Sequence, residues 1–223
     1  DSLGTRPSAA IIVKGGELGR LNYFSEAVVR ADILCERRPG ARQAPPNMII
    51  VANEIIDRLL ELELPQKPET AVTVGMIRGG YKYGTPATTA RVGIELRSTS
   101  NEALSALTNR IAGILDQVRH ERRVDIEYDV AAALGAASLG WSHPLTSAAI
   151  AVIQELGLEL NVYPSVSELY YFLQRGIPAV TIGVATGSDY HQELASASLR
   201  SLYSGMAQLI GVMLAADEEA ADA

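Results

Sequence analysis

The sequence predicts an α/β protein in which a small βαββαβ domain is inserted into part of a second α/β domain. Three observations predict this architecture. Short apolar runs have the length of strands, and apolar residues recur at helical spacing between them. The βαββαβ order also ends near residue 131, where an Ala- and Gly-rich stretch precedes alternating helices and strands. We therefore expect a ferredoxin-like domain over residues 24–131 and a second domain made of residues 1–23 and 132–223.

The predicted inserted domain contains four strands and two helices. The strands are expected at residues 28–35, 71–77, 88–97 and 124–128. The first helix, residues 47–62, has one apolar face made of Met48, Val51, Ile55, Leu59 and Leu62. The second helix is expected to begin at a capping box of Thr99 and Glu102. Its buried stripe is predicted to comprise Leu104, Leu107, Ile111, Ile114 and Val118.

The second domain is predicted to alternate strands and helices, beginning with a strand at residues 9–13. A helix at residues 144–156 and a strand at residues 158–162 follow the inserted domain. A capping box of Ser165 and Glu168 is expected to begin the next helix, which precedes a fully buried strand at residues 177–184. The apolar face of the last helix is expected to carry Leu199, Leu202, Met206, Leu209 and Met213.

The composition argues against several classes of function. With 26 acidic and 19 basic residues, the formal net charge is −7, which does not suit a nucleic-acid partner. No apolar run approaches the roughly 20 residues of a membrane helix. The single cysteine, Cys35, cannot form an internal disulfide and is interpreted as a small buried hydrophobe, so we expect a cytoplasmic protein. The chain begins at Asp1 without a signal-peptide pattern, as a fragment of a longer protein would.

Three short motifs are weak candidates for a phosphate-binding or catalytic site. The glycine-containing stretches at residues 15–19 and 79–84 lack both the GK[ST] ending and the GxGxxG order, so turns are the favoured interpretation. Residues 140–144, GWSHP, lack the second glycine of a nucleophile elbow. His143 also follows Ser142 too closely to act easily as its base. We interpret this stretch as the start of a helix.

Three segments carry a resemblance to a known family. Residues 165–191, SVSELYYFLQRGIPAVTIGVATGSDYH, combine a helix, a buried strand and a loop that ends in histidine. Together with residues 10–19, AIIVKGGELG, and residues 79–97, they resemble the co-catalytic zinc peptidases and amidohydrolases of the aminoacylase, desuccinylase and glutamate carboxypeptidase type, peptidase family M20. The resemblance implies that the inserted domain is the family's lid and dimerisation domain. It also implies that the second domain is part of a zinc-exopeptidase-like α/β domain.

Three site residues follow from the resemblance. His191 corresponds to the loop histidine that binds metal in the family, and Gly187 to a loop glycine at the substrate. Arg97 is in register with the lid arginine that binds the substrate's carboxylate, a role that suits a planar guanidinium with two parallel donors. From the residues alone, His191 could equally be a loop histidine hydrogen-bonded to Asp189, and Arg97 an arginine on the wet face of a strand.

The chain departs from the family pattern at positions that carry its chemistry. Lys14 stands where the family's strand ends in an acidic zinc ligand, and Gly84 replaces a lid asparagine. Ser167-Glu168 replaces a Ser/Thr-Asp pair, and Ala195 replaces an acid after the metal-binding histidine. The family's HxD motif, bridging aspartate and paired glutamates are absent from this sequence. We therefore assign no catalytic residue and expect this chain not to bind the family's zinc.

Two main functions remain open from the sequence, and a third, regulatory sensing of a small acidic ligand through Arg97 and the Arg37-Arg38 turn, rests on charge alone. The first is the lid and C-terminal portion of an amidohydrolase-like protein, inactive as this chain, whose intact relatives hydrolyse peptide or N-acyl amide bonds. The second is a noncatalytic module that dimerises through the free edge of the lid sheet or binds a small carboxylate. The expected partners are a second copy of the chain and a carboxylate-bearing peptide or N-acyl amino acid, with no nucleic acid and no membrane.

Overall fold

The computed structural model describes residues 7–38, 46–166, 168–189 and 193–221. Its strands are β1 (Ala10–Lys14), β2 (Arg20–Asn22), β3 (Phe24–Ser25), β4 (Ala27–Glu36), β5 (Thr70–Gly79), β6 (Thr89–Ser98), β7 (Asp125–Leu134), β8 (Ala137–Ser138), β9 (Asn161–Val162), β10 (Ala179–Gly183), β11 (Gly187–Ser188) and β12 (Ser196–Ala197). Its helices are α1 (Met48–Leu60), α2 (Asn101–Arg122), α3 (Pro144–Glu155), α4 (Leu169–Gln174) and α5 (Ser201–Ala221). The chain divides into two compact units: the inserted unit, Glu26–Ala136, and the flanking unit, Asp1–Ser25 with Ala137–Ala223.

The inserted unit is a four-stranded antiparallel sheet in the order β5-β6-β4-β7, with α1 and α2 against one face. Central strand β4 pairs with both neighbours, so that Ile33 lies opposite Val92 on β6 and Tyr128 on β7. The side chains that alternate toward the helices form the core, which includes Cys35, Val51, Ile55, Leu96, Ile111, Leu115 and Ile126. The other side chains of β4 and β6 point to the opposite face of the sheet, here called the outer face.

Helix α1 confirms the predicted periodicity. Met48, Val51, Ile55 and Leu59 are all buried, as the apolar face required, whereas Leu62 is half-buried and lies beyond the last helical residue, Leu60. Asn47 caps the helix, because its Oδ1 accepts a hydrogen bond from the amide of Ile49 at 3.1 Å.

The capping box predicted for α2 is wrong by one residue. The amide of Thr99 donates to the carbonyl of Glu69 at 3.1 Å and so continues the pairing of β5 with β6. Ser100 is therefore the N-cap, and its Oγ accepts from the amide of Ala103 at 3.2 Å. The predicted stripe of α2 is buried, except that Leu115 takes the buried place given to Ile114. Strand β7 continues to Leu134, well beyond the predicted end at residue 128.

The flanking unit contains a four-stranded sheet in the order β1-β10-β2-β9. β1 pairs with β10 in parallel, β2 is antiparallel to β10, and β9 is parallel to β2. All five residues of β10 are buried, which confirms the fully buried strand predicted from its apolar run. Helices α3 and α5 supply the remaining core side chains, among them Leu145, Ala149, Ile153 and Val212.

In the flanking unit, one prediction is confirmed only in part and another is wrong. The strand expected at residues 158–162 is reduced to β9, because its partner β2 is itself only three residues long. The capping box of Ser165 and Glu168 does not form as predicted. Helix α4 begins at Leu169, and Glu168, its N-cap residue, makes no side-chain cap hydrogen bond. Ser165 is buried beside β3, where it bridges to Ser25.

The predicted face of α5 is confirmed only in part. Leu209 packs against the core of the flanking unit and Leu202 is half-buried, whereas Leu199, Met206 and Met213 are 78%, 59% and 54% exposed. The helix instead turns Gln208 and Val212 inward, and both are fully buried. The physical reason is a close approach of the helix backbone at residue 205, which is a glycine, to the carbonyl that follows β10.

Cys35 is buried in the core of the inserted unit, as the sequence predicted. Burial raises the pKa of its thiol to about 11, so that the unreactive, protonated form predominates. In the part of the chain that the structure describes, no helix combines the length and apolar character that crossing a membrane requires.

Candidate functional site

A lysine lies at the carboxyl end of β1. Because β1 and β10 are parallel, with Lys14 opposite Gly183, both strands end at the same edge of the sheet. The carboxyl ends of parallel strands are where α/β proteins commonly bind ligands. Lys14 Nζ lies 2.7 Å from Glu168 Oε2, in front of α4. The ammonium group of Lys14 is thus paired with the carboxylate of Glu168.

A cavity of about 410 Å³ opens beside this lysine. It is lined by Lys14, Gly15, Gly16, Glu17, Arg20, Tyr163, Ala195, Ser196 and Ala197. We call it the β1–β2 cavity, since most of its lining comes from the end of β1 and the turn that leads to β2. Its volume lies within the range of about 300 to 1,000 Å³ that is typical of small-molecule sites.

Arg20 is a charged side chain of this cavity that two contacts hold in place. Its Nε donates to Asn22 Oδ1 at 2.9 Å, and its guanidinium carbon lies 4.5 Å from the centre of the Tyr163 ring. Burial lowers the pKa of Arg20, and the nearby carboxylate of Glu17 opposes this effect. The sequence alone did not single out Arg20, Asn22 or Tyr163, because the pairing of β2 with β9 that joins them spans about 140 residues.

Arg97 lies on the outer face of the inserted unit, on β6, with its side chain 48% exposed. Its Nε donates to Glu95 Oε1 at 2.7 Å, and Arg30 Nε donates to the other oxygen of the same carboxylate, also at 2.7 Å. Burial raises the pKa of nearby Glu26, against the opposing charge of Arg97. Arg97 is therefore on the solvated face of its strand, while its carboxylate-binding role stays a prediction.

The carboxylate of Glu95 gives this face a testable pH dependence. Partial burial, the largest influence, acts to raise the pKa of Glu95, but the hydrogen bonds and charges of Arg30 and Arg97 outweigh it and hold the pKa below its usual 4.5. A depressed folded-state pKa contributes stability above the unfolded-state pKa, and this stability is lost as the pH falls through the folded-state pKa.

We expect Glu95→Gln to lower the free energy of unfolding by roughly 1 kcal/mol at pH 7, because two charge-assisted hydrogen bonds are weakened at a partly exposed site. Below the folded-state pKa of Glu95, the wild-type chain and the variant should have the same free energy of unfolding. Urea denaturation at a series of pH values measures it, with Glu127→Gln, an exposed glutamate on β7, as the control. A difference that persists unchanged in acid would contradict this interpretation.

The positions of the remaining predicted site residues give little evidence about a binding site. Gly187 is exposed on β11, where it pairs with Ala197 of β12. His191 and Ser167 lie outside the described residues, so the metal-binding role of His191 and its alternative, a hydrogen bond to Asp189, stay predictions. Gly84 has a φ of 72° with open space around it, which suits a turn.

The stretch at residues 140–144 begins a helix, as interpreted from the sequence. His143 is the N-cap of α3, and its Nδ1 accepts a hydrogen bond from the amide of Leu145 at 3.1 Å. Pro144 occupies the first turn. The ring nitrogen that a base would need is therefore used to cap the helix.

The described residues around the β1–β2 cavity do not fit a zinc centre. Nowhere within ranges 7–38, 46–166, 168–189 and 193–221 do three His, Cys, Asp or Glu side chains converge as metal ligands would. The ammonium of Lys14 carries three donors and no acceptor, so it cannot ligate a cation. The donor set at the end of β1 instead suits an anion or an ion pair.

Comparison with solved structures shows proteins with a similar fold. A tripeptidase from Staphylococcus aureus matches with a TM-score of 0.77 and 17% identity, and aminopeptidase PepT from Bacillus cereus with a TM-score of 0.75 and 15% identity. Each match covers 97% of this chain and 59% of the peptidase. The Bacillus subtilis protein YXEP, described as a dinuclear metal-binding peptidase of the M20 family, matches with a TM-score of 0.59 and 17% identity over 93% of this chain and 57% of its own.

At the level of sequence, no protein-family profile and no curated protein matches this chain. The likeness therefore concerns the fold, and it extends over nearly the whole chain but little more than half of each peptidase. The resemblance inferred from the sequence is confirmed at this level: the chain has the mixed α/β fold of part of the M20 peptidases and amidohydrolases.

Proposed function

We propose that this chain is a non-hydrolytic relative of the lid and C-terminal portion of M20 amidohydrolases, and that it binds small carboxylates. The ion pair of Lys14 with Glu168, 2.7 Å long, carries the proposal. It places an ammonium group at the strand end where the resemblance implies an acidic ligand, and the carboxylate of Glu168 is paired with that ammonium group. A divalent metal at this point would meet an ammonium group that repels it.

The inserted unit supports the lid assignment. Its element order βαββαβ and its strand order β5-β6-β4-β7 are those of a ferredoxin-like domain. On its outer face, the Nε atoms of Arg30 and Arg97 are held by Glu95, and both side chains remain about half exposed. The terminal nitrogens of both arginines are suitable hydrogen-bond donors for the oxygens of a carboxylate.

The substrate class is inferred from the similar structures. The similar structures described above are peptidases, and further similar structures include amidases of the hydantoinase/carbamoylase family. The resemblance inferred from the sequence implies a ligand that carries a carboxylate and a peptide or N-acyl amide bond. We propose that this chain binds such a molecule through Arg97 without cleaving it.

The test measures zinc, hydrolysis and binding in one preparation. The purified chain and its His191→Ala variant are dialysed against trace zinc, analysed for metal and assayed with dipeptides and N-acetyl-L-alanine. We expect zinc well below one equivalent in both proteins, no zinc-dependent hydrolysis, and binding of N-acetyl-L-alanine that Arg97→Gln weakens at least tenfold. One equivalent of zinc that the His191→Ala variant loses, together with hydrolysis, would overturn the proposal.

A second function, dimerisation through the lid, is favoured by the outermost strand β7. Residues 129–133 of this strand are all exposed, and four of the five are valine or alanine. An exposed apolar edge strand is a ready surface for pairing with a second copy. We expect a dimer by light scattering that Val130→Lys converts to a monomer, with Glu127→Lys as the control for added charge. A wild-type chain that stays monomeric at about 100 µM, and therefore has a dimer dissociation constant well above that concentration, would refute this function.

A further inference from the structure

Arg20 in the flanking unit is held in one orientation by contacts on two sides. Its Nε donates to Asn22 Oδ1 at 2.9 Å, while the Tyr163 ring lies 4.5 Å from its guanidinium carbon. The side chain is only 21% exposed. A guanidinium fixed at Nε and across its face retains its terminal nitrogens for further hydrogen bonds.

The support beneath Arg20 is itself rigid. Asn22 is fully buried, and its Nδ2 donates to the carbonyl oxygen of Tyr163 at 2.6 Å. This bond fixes the amide so that Oδ1 faces Arg20, and it joins β2 to the residue after β9. The position of the guanidinium is therefore determined before any ligand arrives, which lowers the entropy cost of binding.

The terminal nitrogens of Arg20 lack an acceptor among the described residues. The nearest carboxylate oxygen, Glu17 Oε2, lies 3.7 Å from Nη1, which is too long for a hydrogen bond. An anion that supplies two acceptors would form charge-assisted hydrogen bonds with these nitrogens. The guanidinium lines the β1–β2 cavity, together with Lys14 and the backbone of Gly15 and Gly16.

We infer that the β1–β2 cavity binds the carboxylate group of a small molecule, with Arg20 as its bidentate partner. The two parallel donors of a guanidinium fork match the two oxygens of a carboxylate. Glu17 offsets part of the positive charge, so that a single carboxylate is favoured over a polyanion such as a nucleotide. Ala195 and Ala197 leave space for a compact body next to the carboxylate. The inference rests on Arg20 of the flanking unit and not on Arg97 of the inserted unit, so it does not depend on the proposed function.

The test is a titration followed by amide NMR at constant ionic strength, with acetate, L-alanine and methylammonium as probes. We expect acetate to shift the amide resonances of Gly15, Gly16 and Ser196. L-alanine should do the same and bind more tightly if the natural ligand is an amino acid, whereas methylammonium should have no effect. The inference would be overturned if chloride alone shifted these amide resonances as much as acetate does. It would also be overturned if acetate left the resonances of the cavity residues unchanged.

Variants then assign the binding to the guanidinium fork. Arg20→Gln should weaken acetate binding at least fivefold, while Arg20→Lys, which keeps the charge and loses the fork, should give an intermediate loss. Arg97→Gln should leave acetate binding in the cavity unchanged within twofold, so failure at one carboxylate site is distinguishable from failure at the other. If circular dichroism shows that Arg20→Gln is unfolded, the acetate affinity of Arg20→Lys provides the test. Unaltered affinity in a folded Arg20 variant would exclude the role.

Discussion

Gly205→Ala is expected to destabilise the protein by about 3 kcal/mol or more, because overpacking against a fixed backbone cannot be relieved by a rotamer change. A Cβ at this position would lie 1.8 Å from the carbonyl oxygen of Val184 and 2.5 Å from its carbonyl carbon. That backbone has little freedom to move, since the amide of Val184 donates to the carbonyl of Lys14 at 3.0 Å. The added methyl group must therefore displace α5 from the sheet.

The matched control is Gly113→Ala in α2. A Cβ at that position would have no heavy atom within 4 Å, so alanine should stabilise the helix by about 0.5 to 1 kcal/mol. Urea denaturation followed by Trp141 fluorescence reports on the flanking unit, and far-ultraviolet circular dichroism reports on all helices. Similar effects of the two substitutions would show that α5 does not approach β10 as closely as described.

Much of the fold could be predicted because local patterns agree with the tertiary contacts. The apolar face of α1 is buried as its 3.6-residue period requires, and the continuous apolar run of β10 is buried on both faces. In both elements each residue's local preference and its final environment point the same way. The capping residue of α2 was missed by one position because Thr99 bonds across the sheet to Glu69, a contact that no local pattern reveals.

Helix α5 shows why the rest could not be predicted. Apolar side chains occur around most of its circumference, so their spacing does not select one face. Gly205 determines which face of the helix is buried. It permits close contact with Val184, and Gln208 and Val212 then lie on the buried side. An exposed row of large side chains remains on this helix, comprising Tyr203, Met206, Ile210, Met213 and Leu214.

The candidate site was only partly predictable for a similar reason. Lys14 could be identified as a charge reversal, because it follows an apolar strand at a position that the resemblance makes acidic. Its partner Glu168 is 154 residues away, and Asn22 and Tyr163 are 141 residues apart. Contacts of such separation depend on the order of strands in the sheet, which pattern analysis of one segment does not determine.

Asn22→Leu should lower the free energy of unfolding of the flanking unit by about 2 to 4 kcal/mol, since it removes both partners that a buried amide supplies. Leucine has a similar volume, so the cost arises from polar groups and not from a cavity. Arg20 Nε would lose its acceptor at 2.9 Å, and the carbonyl of Tyr163 its donor at 2.6 Å. Both groups would then lie in a partly buried environment without replacement partners.

Asn161→Leu on the neighbouring strand is the control for this substitution. Asn161 is exposed, and its Nδ2 makes only a 3.4 Å contact with the carbonyl of Glu159, so the expected change is within about 0.5 kcal/mol. Trp141 fluorescence during urea denaturation measures both variants in the same unit. A large loss for Asn22→Leu with no loss for Asn161→Leu would mean that the buried amide, and not strand propensity, fixes Arg20 at the cavity. Equal losses would instead place the stability in the pairing of β2 with β9, and Arg20 would lack the rigid support that its proposed role requires.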